Sequence, residues 1–130
     1  MAVTLLDSDF FLVERVDTRG FIRLTRRERP FLSEDEVVGA FTPLQRVLDA
    51  EGRERCVLLV DTRVVAGRND PASEAMFAKH RRATVTGFKR VAMLVQTPVG
   101  ALHVQRLMVQ DRSDARVFSD EAEAITYLTR

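Results

Sequence analysis

Tryptophan is absent, cysteine and tyrosine occur once each, and histidine only twice. A lone Cys56 excludes an intramolecular disulfide framework and suits a reducing compartment. It stands in the run Cys56, Val57, Leu58, Leu59, Val60, where it reads as a small buried hydrophobe rather than a nucleophile. His80 and His103 fall on different predicted helices with no Cys or carboxylate at ligand spacing, so no metal site is expected, and both read as surface or helix-edge residues. Charge of one sign is missing as well. Twenty Lys and Arg face 19 Asp and Glu, for a net charge of +1, which provides no field to steer the chain toward nucleic acid or an anionic membrane. No apolar run approaches the roughly 18 residues of a membrane span. Met1 to Glu14 has no basic n-region, and Asp7 and Asp9 interrupt its apolar stretch, so no signal or transit peptide is expected and the reading is cytoplasmic. Neither a glycine-rich phosphate loop nor a serine in a nucleophile-elbow context occurs, so no cofactor and no catalytic centre are expected.

What is present is enough apolar material for a core. At 45% apolar and 30% charged residues, the 130 residues fit one α/β domain spanning 1–130. Phe10 to Val16 and Phe21 to Thr25 are separated by Asp17 to Gly20, a hairpin signal in which Gly20 takes positive φ. Ser33 followed by Glu36 is a capping box, and Val37, Phe41, Leu44 and Leu48 then repeat at helical spacing as far as Glu51. Pro43 interrupts that ladder without changing the phase of the stripe, so one kinked helix is expected. Arg55 to Asp61 and Val91 to Val95 are apolar without alternation, the pattern of parallel strands buried on both faces. Asp70 and Pro71 open a second helix running to about Thr84, and Thr97 and Pro98 open a third to about Gln110. Val117 and Phe118 make a short last strand, and Ser119 caps a fourth helix with Ala122, Ile125 and Leu128 inward. The expected fold is a mixed sheet of four to five strands, an N-terminal antiparallel hairpin joined to parallel central strands, with four helices outside it.

Leu58 to Asp61 at a strand end, Gly67 to Pro71 opening the next helix, Phe88 to Val95, and the tail Val117 to Glu123 with Leu128 carry a resemblance. Over roughly Phe10 to Leu128 the chain resembles the STAS superfamily, the fold of bacterial anti-sigma-factor antagonists, and more specifically its stand-alone STAS/SEC14-like branch. In those antagonists a Ser that follows a strand-end Asp is phosphorylated by a partner kinase. The matching pair here is Asp61 and Thr62, but Arg63 to Ala66 intervene before Gly67 and move Thr62 away from the helix. Thr62 therefore reads first as a loop hydroxyl and second as a phosphoacceptor, with Ser73 a weaker candidate.

Ligands of open α/β sheets sit beyond the carboxyl ends of the strands, so Asp61 to Pro71 and Gln96 to Gly100 are the expected lips of a site. Arg63 and Arg68 could hold an anion there, although Asp61 and Asp70 offset them. Arg26, Arg27 and Arg29, and again Lys79, Arg81, Arg82, Lys89 and Arg90, form basic runs that read as solvated faces. The third helix carries more information. Ala101, Val104, Leu107 and Met108 face inward, while Val99, Leu102 and Val109 form a second apolar side; the preferred reading is that it packs under a neighbouring loop, the alternative that it is an exposed contact. The adaptable Met108 would suit a cavity or a partner groove. Two functions follow as expectations: a non-enzymatic domain that contacts a protein partner or a second copy through the third helix and the Asp61 to Asp70 loop, or a carrier of a small apolar, lipid-like ligand.

Overall fold

Short runs rich in Val, Leu, Ile and Phe near the N-terminus fold as an antiparallel meander of three strands, β1 (Ala2–Asp7), β2 (Phe11–Val16) and β3 (Phe21–Arg26). The computed structural model describes residues 2–17, 20–64 and 71–130, with the backbone alone for 71–76. Helix α1 (Glu34–Glu51) and a single 3-10 turn (Arg53–Arg55) lead into β4 (Val57–Asp61). Then follow α2 (Pro71–Val85), β5 (Arg90–Leu94), α3 (Pro98–Gln110), β6 (Arg116–Phe118) and α4 (Glu121–Thr129).

The strands form one sheet in the order β1-β2-β3-β4-β5-β6. From β3 onward every pairing is parallel, with Ile22 opposite Leu58, Leu58 opposite Val91 and Met93 opposite Val117. Because the sheet grows in one direction, crossovers of one hand put α1, α2 and α3 on the same face. Helix α4 covers the opposite face, above β4, β5 and β6. Alternation within each strand divides the core accordingly. Val13, Ile22, Leu24, Leu58, Val60, Val91 and Met93 meet Ala40, Leu44 and Leu48 of α1, Val85 of α2 and Met108 of α3. Phe21, Leu59, Ala92 and Leu94 meet Ala124 and Leu128 of α4.

The sheet has six strands where four to five were expected. The added one is β1, whose short mixed sequence was read only for targeting signals; it completes the edge beside β2, with a register shift between Thr4 and Leu6. Gly20 does take positive φ, at 74°. Helix α1 is continuous through Pro43, capped by Ser33, whose hydroxyl accepts from the Glu36 N–H at 3.2 Å. Cys56 lies just ahead of β4 and is half-buried, because the chain first completes the 3-10 turn. The α4 cap is Asp120, not Ser119: its carboxylate accepts from the Glu123 N–H at 3.0 Å. Leu128 faces inward as expected, with Ile125 partly buried against the same cluster, but Ala124 takes the inner place and Ala122 is exposed.

Candidate functional site

Strand periodicity places Arg23 two residues beyond Phe21 and Asp61 two beyond Leu59, so both project from the α4 face, Asp61 at the carboxyl end of β4 and Arg23 in register with Leu59. There Asp61, only 5% exposed, accepts from Arg23 Nη2 at 2.6 Å and from Arg63 Nη2 at 2.8 Å and Nε at 3.0 Å. Its other oxygen also accepts the Arg63 backbone N–H at 3.1 Å. Glu121, in the first turn of α4, accepts from the same two guanidinium groups at 2.8 and 2.9 Å. Burial alone pushes the Asp61 carboxyl up, but the side-chain and backbone hydrogen bonds from Arg63 and the charges of Arg63 and Arg23 outweigh it and hold its pKa below the ordinary value. Two cations and two anions thus satisfy one another. Arg63, a candidate to hold an anion, is spent on these carboxylates, and Arg68 lies outside the described residues. Thr62 is half-buried, and both its N–H and its hydroxyl donate to the Leu94 carbonyl, at 2.9 and 3.0 Å.

On the other face the same alternation carries Arg26 inward beside Leu24. Its guanidinium lies 4.5 Å from the Phe31 ring centroid, with Phe10 and Phe11 also against it, and donates to the carbonyls of Phe10, Arg27 and Arg29. Burial lowers its pKa to about 10, which still leaves a cation at neutral pH. The first basic run is thus solvated only in part: Arg26 is caged, while Arg27 and Arg29, 40% and 46% exposed, pair at the surface with Asp7 and Asp9. The cluster continues through Phe41, on which His80 stacks at 5.0 Å. His80 is accordingly half-buried, whereas His103 is exposed. The second run is dispersed: Arg81 grips Asp111 through Nε at 2.7 Å and Nη2 at 3.1 Å, and Arg90 donates to the carbonyls of Tyr127 and Arg130.

Helix α3 starts as its sequence predicts, with the Thr97 hydroxyl accepting from the Gly100 N–H at 3.0 Å and Pro98 in the first turn. Its inner side is filled by fully buried Met108 with Val104 and Leu107, so Met108 is a core residue and not a contact. Among the described residues no loop covers the second apolar side. Val99, Leu102 and Val109 are 77%, 65% and 69% exposed. A shallow open groove of about 440 Å³ runs along Leu102, Gln105, Arg106, Val109 and Gln110.

No family model matches the chain, and no curated protein matches it. A solved structure does. The crystal structure of an uncharacterised protein from the DUF3478 family with a SpoIIAA-like fold, from Shewanella loihica PV-4, matches 95% of this chain and 98% of its own at a TM-score of 0.64 and 16% identity. The chain has a SpoIIAA-like, STAS-type fold. At that identity the likeness speaks for the fold alone.

The sequence reading gave no role to Arg23 or Glu121 and took Arg26 for part of a solvated run. The period-2 signal was available, since Arg23 shares a face with Phe21 and Arg26 with Leu24, both buried. Nothing in local spacing joins Glu121 to Arg23, which are 98 residues apart. Asp70 lies outside the described residues, as do the side chain of Ser73 and most of the loop expected to share the contact.

Proposed function

We propose that the chain is a non-enzymatic STAS-like interaction domain of bacterial, cytoplasmic and regulatory type whose contact with another protein runs through the outer face of α3. The observation that carries this is the exposure of Val99, Leu102 and Val109 on one outward side of one helix, where a surface helix needs a single apolar stripe and α3 already spends one on the core. The strand-end polar groups add support, because Asp61, Arg23, Arg63 and Glu121 are committed to one another and a reaction centre needs groups poised toward a substrate. Among the described residues no helix is long and apolar enough to cross a membrane.

The test is the pair Leu102→Glu plus Val109→Glu. Both side chains point to solvent, so circular dichroism and the melting temperature should match the parent within a few degrees. Loss of co-purifying protein and of any self-association is the expected result. Unchanged assembly and unchanged partners in a folded variant would remove α3 from the account. The apolar-ligand alternative meets a filled space beneath α3, occupied by Met108, Val104 and Leu107; a lipid-like molecule retained in native mass spectrometry of fresh protein would restore it.

A further inference from the structure

Resting on that contact surface, we infer that α3 receives a short acidic amphipathic segment of a partner protein and not a second copy of this chain. The outward positions are Val99, Leu102, Arg106 and Val109, all exposed, with His103 and Gln105 beside them. From Pro98 to Gln110 the helix contains no Asp or Glu. The nearest acids in sequence do not cancel the charge: Asp111 is held by Arg81, and Asp114 sits on the following turn between exposed Arg112 and Arg116.

Size argues for a small occupant. Thirteen residues at about 1.5 Å per residue give a strip about 20 Å long and about 10 Å wide. A stable dimer needs about 800 Å² from each partner, several times what such a strip presents. Charge excludes the same occupant independently. A twofold pairing would press Arg106 and His103 of both copies against a face with no carboxylate, leaving guanidinium groups desolvated and unpaired. An entering segment with Leu or Phe at i, i+3 or i+4, and i+7 would cover Leu102 and Val109, and a flanking carboxylate would give Arg106 a two-point partner.

The experiment titrates the isotope-labelled full-length chain with helical peptides of about 16 residues, alike in their Leu positions but flanked either by Glu or by Lys. The Glu peptide is expected to shift α3 amide resonances, more weakly as salt rises. Arg106→Glu should weaken it about tenfold and confer binding of the Lys peptide. Equal binding of both peptides overturns the acidic-segment inference and leaves the α3 reading standing. So does self-association sensitive to Leu102→Glu without binding of the Glu peptide. Binding to phosphatidylserine vesicles that is lost in the Leu102→Glu plus Val109→Glu variant, with no peptide bound, overturns it in favour of a membrane surface. If peptide, second copy and vesicle all leave α3 unperturbed, inference and reading fall together.

Discussion

Asp61→Ala should be among the most damaging single polar substitutions at the strand ends, and the structure says why. The side chain is 7% exposed and its carboxylate accepts four hydrogen bonds, from Arg23 Nη2, Arg63 Nη2, Arg63 Nε and the Arg63 backbone. Removing it leaves Arg23, itself largely covered, with Glu121 as its remaining carboxylate. Breaking a fully buried pair costs about 3–5 kcal/mol, and the solvent reaching Glu121 reduces the expectation to about 2–4 kcal/mol. An unfolding entropy of about 2.1 cal/mol/K per residue over 130 residues converts about 3 kcal/mol into a fall of about 11 °C in Tm. Calorimetric melts at neutral pH would read it. Glu121→Ala is the control: its side chain is 40% exposed, so its loss should stay below about 1 kcal/mol. The pH dependence has a definite sign. A carboxyl whose native pKa is depressed contributes its full stability above the ordinary value near 3.8, and loses it as pH falls from there through the lower native value. Asp61→Ala should remove that part of the acid sensitivity. A Tm change no larger than that of Glu121→Ala, with acid sensitivity intact, would refute the reasoning.

Arg53 joins the ends of two helices: it donates to the carbonyls of Ala83 and Thr86 at 2.6 and 3.0 Å and to Asp49 at 2.7 Å, with Phe88 beneath it. Arg53→Met should cost about 1–3 kcal/mol in urea titrations. Met108→Ala, at a fully buried site, should cost about 2–5 kcal/mol, whereas Val99→Ala on the same helix should stay within about 0.5 kcal/mol; equal effects would mean the two faces of α3 are misassigned. Burial and the nearby Glu51 charge push the Cys56 thiol up, so iodoacetamide should alkylate it more slowly in native protein than in urea at the same pH. Native reactivity equal to that of the unfolded chain would contradict that environment.

The parallel half of the sheet was legible because burial on both faces leaves an unbroken apolar run, as in Leu58 to Val60 and Val91 to Val95. The caps of α1 and α3 were legible because Ser33 and Thr97 act within three residues of themselves. β1 was not, since Ala2–Asp7 is short, does not alternate and owes its strand form to pairing with β2. Arg26 carried the opposite problem. Three arginines within four positions look like a solvated run, and only Phe10, Phe11 and Phe31 arriving from elsewhere in the chain make one of them interior. On α3 the helical wheel separated two apolar sides correctly, but whether the second was covered depended on tertiary neighbours; its exposure is what turned a packing question into a candidate contact.

The central claim is that the outer face of α3 is where this protein meets its partner. A photo-cross-linking amino acid at position 102, compared with one at exposed position 46 on α1, tests it in living cells of the source organism. The account predicts a discrete adduct with another protein from position 102 and none from position 46; no adduct at 102, or the same products from both positions, would contradict it.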